Sequence, residues 1–266
     1  MNRFFKRFID LIVFYWKSKN YKQISHKNLS SFIFRILENK PLGTDQFAKI
    51  EKIRTDFLKT NEEIPFEEIG AGKHITSRRK VKEIANYSLS PEWKCKILYN
   101  LAKEFNNGSI LELGTSLGIS TAYLASGNIN NIIHTIEGNR SVAELAQKCF
   151  SHIGFNNIVS HIGNFDLVLE VFLTKVLKID LAYIDGNHNY NAVLRYFKNI
   201  KAKCHIKSVV IIDDIYWSEG MKKAWKSIKM DEGVTCSVDL FQLGIILFDP
   251  QFEGNHYVIS SKLKAF

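Results

Sequence analysis

The sequence predicts an α/β fold: a mostly parallel, seven-stranded sheet with helices on both faces, closed by an antiparallel hairpin and preceded by a helical extension. Three observations predict it. From residue 91 onward, short apolar runs alternate with helical stretches, the pattern of repeated strand–helix–strand units. Runs such as VVII at 209–212 are apolar at every position, which suits parallel strands covered on both faces. The alternation then gives way to two runs, VTCSVDLF and GIILF, joined by Gln242 and Leu243, which read as a hairpin that sets one antiparallel strand into the sheet.

The elements follow in order. Residues 1–90 read as a basic, mainly helical extension and 91–266 as the α/β domain. Phe4, Phe5, Phe8, Leu11, Ile12 and Tyr15 recur at helical spacing. Phe32, Ile33, Ile36 and Leu37 form a second apolar stripe, and Phe47, Ile50, Ile53, Phe57 and Leu58 a third. The segment GAGKHITSRRKVKEIA at 70–85 reads as a glycine-containing loop, a basic stretch and a helix, with a lid or a connector as its role. Pro91 suits a first helical position, opening a helix to residue 105. Strands are expected at 109–114, 132–138, 158–162, 180–186 and 208–214, with helices from about 120, 141, 165, 190 and 218 between and after them.

Charge separates the two regions. Residues 1–40 hold nine Lys or Arg and two acids, whereas residues 91–266 hold 18 and 17. The α/β domain is therefore nearly neutral, and no nucleic-acid partner is expected of it. The apolar core of residues 1–21, FIDLIVFYW, is nine residues long and contains Asp10, short of the roughly 20 residues that span a bilayer. Either a basic amphipathic helix on a membrane surface or a helix packed on the α/β domain or a second subunit fits it, so peripheral membrane contact through residues 1–20 and a homodimer both stay open. Cys95, Cys149, Cys204 and Cys236 lie far apart and make no C-x-x-C pair, as expected of reduced thiols in a cytoplasmic protein.

Four groups of residues carry the chemistry. ELGTSLG, Glu112 to Gly118, ends the first strand and opens a helix. Ligands of open α/β sheets bind outside the carboxyl ends of the strands, and Gly114 and Gly118 free the backbone there. Ser116 stands where a dinucleotide fingerprint needs glycine, which counts against a nicotinamide enzyme. Glu137 closes the second strand, 23 residues after Gly114, where a carboxylate can accept both hydroxyl hydrogens of a ribose. Asn164 and Phe165, with Asp166, follow the third strand: an adenine contact and a helix cap are equally good readings. YIDGNHNY at 183–190 and IIDDIYW at 211–217 place Asp185, Asp213 and Asp214 at the ends of strands four and five. Three converging carboxylates repel unless a cation sits among them, and Mg²⁺ prefers oxygen ligands of this kind; helix capping is the alternative. His188 is a candidate general base, and Tyr216 and Trp217 either wall an acceptor site or belong to the core.

Together these residues resemble the class I S-adenosylmethionine-dependent (SAM-dependent) methyltransferases over roughly residues 80–250. ELGTSLG is similar to that family's acid-x-Gly-x-Gly-x-Gly loop, and YIDGNH with IIDD looks like its small metal-dependent O-methyltransferases. Phrases such as ELGTSLGIST and DDIYWS resemble bacterial members. The resemblance implies a Rossmann-like methyltransferase fold and SAM as cofactor, held by Glu112, Gly114, Thr115, Ser116, Gly118, Glu137, Gly138, Asn164, Phe165 and Asp185. It implies Mg²⁺ on Asp185, Asp213 and Asp214, with His188 and Asp185 catalytic. It implies O-methylation of a small hydroxylated or sugar acceptor. The departures are Ser116, the missing N-P-P-Y signature of adenine methylation, and an extension over residues 1–80 unlike that of the catechol enzymes. They leave open a metal-free enzyme acting on RNA or protein, and a non-catalytic cofactor-binding scaffold.

Overall fold

The computed structural model describes residues 3–38, 45–70, 73–252 and 254–260. In chain order the elements begin with α1 (Arg3–Lys17), α2 (Lys27–Glu38) and α3 (Asp45–Lys59). A hairpin of β1 (Glu63–Gly70) and β2 (Lys73–Lys80) leads into α4 (Val81–Ser88) and α5 (Glu92–Lys103). The alternating region runs β3 (Ser109–Leu113), α6 (Ile119–Gly127), β4 (Ile132–Glu137), α7 (Arg140–Ile153), β5 (Ile158–Ile162) and α8 (Phe165–Lys175). It continues with β6 (Ile179–Ile184), α9 (Tyr190–Lys201), β7 (Cys204–Asp213), α10 (Glu219–Lys229), β8 (Cys236–Asp239), β9 (Leu243–Leu247) and β10 (Asn255–Val258). The chain divides into two compact units, Asn39–Lys175 and Met1–Glu38 with Val176–Phe266.

In the unit of residues 39–175, β3, β4 and β5 are parallel, with Ser109 opposite Ile132 and Ile133 opposite Ile158. α7 shows why the pattern folds this way. Its buried residues Val142, Ala143, Ala146, Phe150 and Ile153 form one stripe at helical spacing, Asn139 caps its first turn by accepting the Val142 N–H, and Gly154 ends it at φ 93°. The Arg54 guanidinium joins α3 to α5: it pairs with Glu51 and donates to the Ser90 carbonyl at 2.7 Å, while the Tyr123 hydroxyl of α6 donates to the same Glu51 at 2.8 Å.

The other unit orders its strands β10–β8–β9–β7–β6. β6 and β7 are parallel, and Tyr183 lies opposite Ile211. β9 runs antiparallel to both β7 and β8, the expected hairpin. A Cβ on Gly244 would lie 2.6 Å from the Trp225 ring, so glycine lets α10 settle on β9. Leu11 and Phe14 of α1 are buried with Phe241.

Three expectations need correction. Asn255–Val258 forms a strand parallel to β8 beyond the closing hairpin, so that among the described residues the larger sheet has eight strands rather than seven. Within the mainly helical extension the basic stretch SRRK is a strand, lying in β2 antiparallel to β1, and the helix begins after it at Val81. Residues 71–72 of the expected glycine loop lie outside the described residues. Pro91 is the residue before α5 rather than its first helical position. The four cysteines are free, as expected.

Candidate functional site

Each unit brings one set of expected site residues together. In residues 39–175 the set is the turn between β3 and α6 and the ends of β4 and β5. Gly114 takes φ 103° and its N–H donates to the Ile136 carbonyl, binding the turn to β4. Gly118 takes φ 83°, and a Cβ there would come within 2.6 Å of the Phe150 ring and 3.0 Å of Ala146. Its smallness therefore serves the packing of α6 on α7. Ser116, in the place of the family's middle glycine, also takes a left-handed φ of 47°, a conformation that costs a serine more than a glycine.

Two glutamates hold this turn by different means. Glu112 is completely buried. Its carboxylate accepts from the hydroxyls of Ser120 at 2.7 Å, Thr121 at 2.5 Å and Thr135 at 2.7 Å. When Glu112 is ionised, the Thr135 proton is committed to it, so the Thr115 hydroxyl donates to Thr135 across 2.5 Å. Burial pushes the Glu112 carboxyl up to about 7, against the pull of the three hydroxyls. Glu112 and Thr115 thus face inward and tie β3, β4 and α6 together. Glu137 is half-buried and accepts backbone N–H groups: Ser116 at 2.8 Å on one oxygen and Asn139 at 2.9 Å on the other. Burial raises its pKa, opposed by the N–H groups of Asn139, Ser116 and Gly138. Each oxygen retains acceptor capacity toward a ribose.

Asn164 accepts the Asp166 N–H at 2.9 Å, the capping alternative of the two readings, and Phe165 begins α8. Residues outside the expected set also shape the turn. The Ser88 hydroxyl lies 2.6 Å from that of Ser116, and the Asn139 amide donates to the Glu67 carbonyl at 3.2 Å. Leu117 is buried with Ile64, Val81, Ile84, Ala85 and Val142, so β1 and α4 pack on the turn. The acid preceding the glycine turn was visible in the sequence. The contribution of Ser88 and β1 was not, because nothing local marks a contact 28 residues away.

In the other unit, Tyr183, Asp185 and Asp213 share one face by strand register, since alternate residues of a strand point the same way and Tyr183 lies opposite Ile211. The Tyr183 hydroxyl donates to Asp213 at 2.6 Å and lies 3.0 Å from Asp185. The second oxygen of buried Asp213 accepts the N–H of Asp214, which leaves the strand at φ 52°. These residues do not fit the expected Mg²⁺. A phenol stands between two of the three carboxylates, and no group of three His, Cys, Asp or Glu among the described residues is placed to hold a metal ion. Where the three-carboxylate metal site on Asp185, Asp213 and Asp214 is expected, the structure shows a carboxylate–phenol–carboxylate cluster of Asp185, Tyr183 and Asp213. Tyr183 escaped notice because a tyrosine inside an apolar strand reads as core.

His188 lies 3.8 Å from Asp185, and its ring centroid is 6.4 Å from that of Trp217. Asn189 caps α9 by accepting the Asn191 N–H. Tyr216 is fixed from behind: its hydroxyl donates to buried Asp239 at 2.9 Å, and its ring stacks on Phe241. Tyr216 and Trp217 also line a cavity of about 250 Å³ with Lys6, Arg7, Asp10 and Lys222. Lys222 pairs with Asp10 and Glu219, while the Arg7 guanidinium lies over the Trp217 ring at 5.5 Å.

Residues 111–215 match the family model of a methyltransferase domain. A protein-L-isoaspartate O-methyltransferase of Petrotoga mobilis is 32% identical over 77 residues, which are 29% of this chain and 35% of that protein. The match thus spans about a third of that relative's length. A putative O-methyltransferase structure from Klebsiella pneumoniae is similar with a TM-score of 0.56 at 13% identity, over 82% of this chain and 95% of that one. An O-methyltransferase from Bacillus cereus, solved with S-adenosylhomocysteine, gives 0.54 at 16% identity over 82% and 96%. An O-methyltransferase of tomaymycin synthesis from Streptomyces achromogenes, solved with SAM, gives 0.55 at 16% identity over 85% and 100%.

Proposed function

Since residues 111–215 match the family model of a methyltransferase domain and the chain has a Rossmann-like α/β fold, we propose that this protein transfers a methyl group from SAM to a hydroxyl of a small hydroxylated or sugar acceptor. The observation that carries the reading is Glu137. It is a half-buried carboxylate at a strand end, held by the backbone N–H of Ser116 in the glycine turn and by that of Asn139, with acceptor capacity left for the two ribose hydroxyls. Gly138 and Phe165, at the ends of neighbouring strands, border the nucleoside.

On the acceptor side, His188 takes the hydroxyl proton and Asp185 steadies the imidazolium that forms. The acceptor oxygen forms its bond to the methyl carbon as the sulfur–carbon bond breaks, leaving S-adenosylhomocysteine and the methyl ether. Positioning supplies much of the rate in such a displacement. The cavity beside Trp217, whose wall carries Lys6, Arg7 and Lys222 with Asp10 and Glu219, suits a polar, hydroxylated acceptor. Asp213 and Tyr183 hold Asp185 in place, and the chemistry runs without a metal.

Formation of S-adenosylhomocysteine, followed with a panel of catechols and sugars with and without EDTA, tests this. The expected result is turnover insensitive to EDTA and reduced about 100-fold in kcat by His188→Gln, the lower range for loss of a general base. Turnover abolished by EDTA and restored by Mg²⁺ would overturn the metal-free chemistry. Failure to bind SAM would overturn the whole reading.

A further inference from the structure

α1 is apolar on two faces, and the fold uses only one. Leu11 and Phe14 are buried against Phe241, while Asp10 reaches Lys222 of α10. On the opposite side Phe5, Phe8, Ile12 and Trp16 follow one another at intervals of three and four residues with Ile9 and Val13 beside them, and all six are exposed. Trp16 is 84% exposed, against 4% for Phe14 two residues earlier. A stripe this long on an outward helix face marks a surface that meets something else.

We propose that this face of α1 docks on a lipid bilayer whose headgroups are anionic. Charge selects this occupant over a second copy of the chain. α1 itself carries Arg3, Lys6, Arg7 and Lys17 against Asp10 alone, while residues 91–266 are nearly balanced, so the helix that bears the exposed stripe is basic. Two copies meeting through α1 would bring two strongly positive segments together, whereas anionic headgroups neutralise them. Lys6 and Lys17 lie together along one edge of the stripe on the helical wheel, set to reach headgroups while the apolar side chains enter the acyl boundary. Trp16 and Tyr15 are of the type that settles at a membrane interface. A helix of 15 residues is about 22 Å long and lies in the interface plane; among the described residues no helix is long and apolar enough to cross a membrane.

Co-sedimentation of the full-length protein with vesicles of phosphatidylcholine alone, or of phosphatidylcholine with phosphatidylglycerol, tests the proposal. Light scattering gives the oligomeric state in parallel. The expected result is partition onto the anionic vesicles only, weakened by added salt. It falls about tenfold or more in Phe8→Ser/Ile12→Ser, the order of effect expected from two lost apolar anchors. Both residues are exposed, so an unchanged melting temperature and unchanged SAM binding show that the variant is folded and separate this test from the catalytic reading. Absence of vesicle binding, or equal binding by the variant, overturns the proposal. So does a wild-type dimer that becomes monomeric in the variant without any vesicle association.

Discussion

Two strand-end carboxylate clusters in this molecule solve the same electrostatic problem in different ways. Around the glycine turn, Glu112 is satisfied by three hydroxyls and Glu137 by backbone N–H groups, so each acid has donors of its own. At the ends of β6 and β7, one phenol bridges Asp185 and Asp213, and Asp213 also accepts the Asp214 N–H. One phenol proton serves one carboxylate at a time, and the shorter contact favours Asp213. The first arrangement fixes a backbone against which a nucleoside can rest. The second ties Asp185 to Asp213 through Tyr183, beside His188. The position of an acid at a strand end therefore does not define its role; the donors that face it do.

The largest expected effect breaks the first cluster. Glu112→Ala strands three buried hydroxyls and opens a cavity, and is expected to cost about 3–5 kcal/mol in urea denaturation. A cost under about 1 kcal/mol would show that Glu112 is not the tie between β3, β4 and α6.

Next comes a pH effect. Burial raises the Glu112 carboxyl from 4.5 to about 7, so folding favours its protonated form. That stabilisation is complete below pH 4.5 and disappears as the pH rises to about 7, a change of roughly 3 kcal/mol. Glu137 and Asp239 are raised in the same direction and persist in Glu112→Gln. The difference in stability between wild type and Glu112→Gln therefore isolates Glu112, and should move toward the variant across that window. A difference independent of pH would contradict the assignment.

Gly118→Ala should destabilise by about 2 kcal/mol, from its left-handed backbone and the Phe150 ring 2.6 Å from the new Cβ. Partial recovery on adding Phe150→Leu would confirm the clash as the cause. The smallest effect is expected in the second cluster, where Tyr183→Phe removes the shared hydroxyl for about 1–2 kcal/mol. The same variant brings Asp185 and Asp213 together without their common donor, so Mg²⁺ should raise its melting temperature and leave that of the wild type unchanged. Equal shifts in both proteins would mean that the phenol does not keep a cation out.

The alternation of β3 to β7 with their helices was legible because buried parallel strands carry long apolar runs, as at 209–212 in β7, and the covering helices repeat their apolar residues at helical spacing. β1 and β2 were hidden because EIPFEEIG and KHITSRRK interrupt any alternation with proline and charge. Their pairing rests on backbone hydrogen bonds, which leave no residue signature. β10 is four residues long and is made a strand only by β8 beside it. In the site, the sequence located the acids but not their donors, since Ser88 with Ser116 and Tyr183 with Asp213 meet only through the fold.

The most direct test of the central claim is calorimetric titration of SAM into the wild type and Glu137→Ala. The account predicts saturable binding by the wild type, weakened at least about tenfold in the variant by loss of both ribose hydrogen bonds, at about 1 kcal/mol or more. Equal affinity in the two proteins would remove Glu137 from the cofactor site and contradict the account.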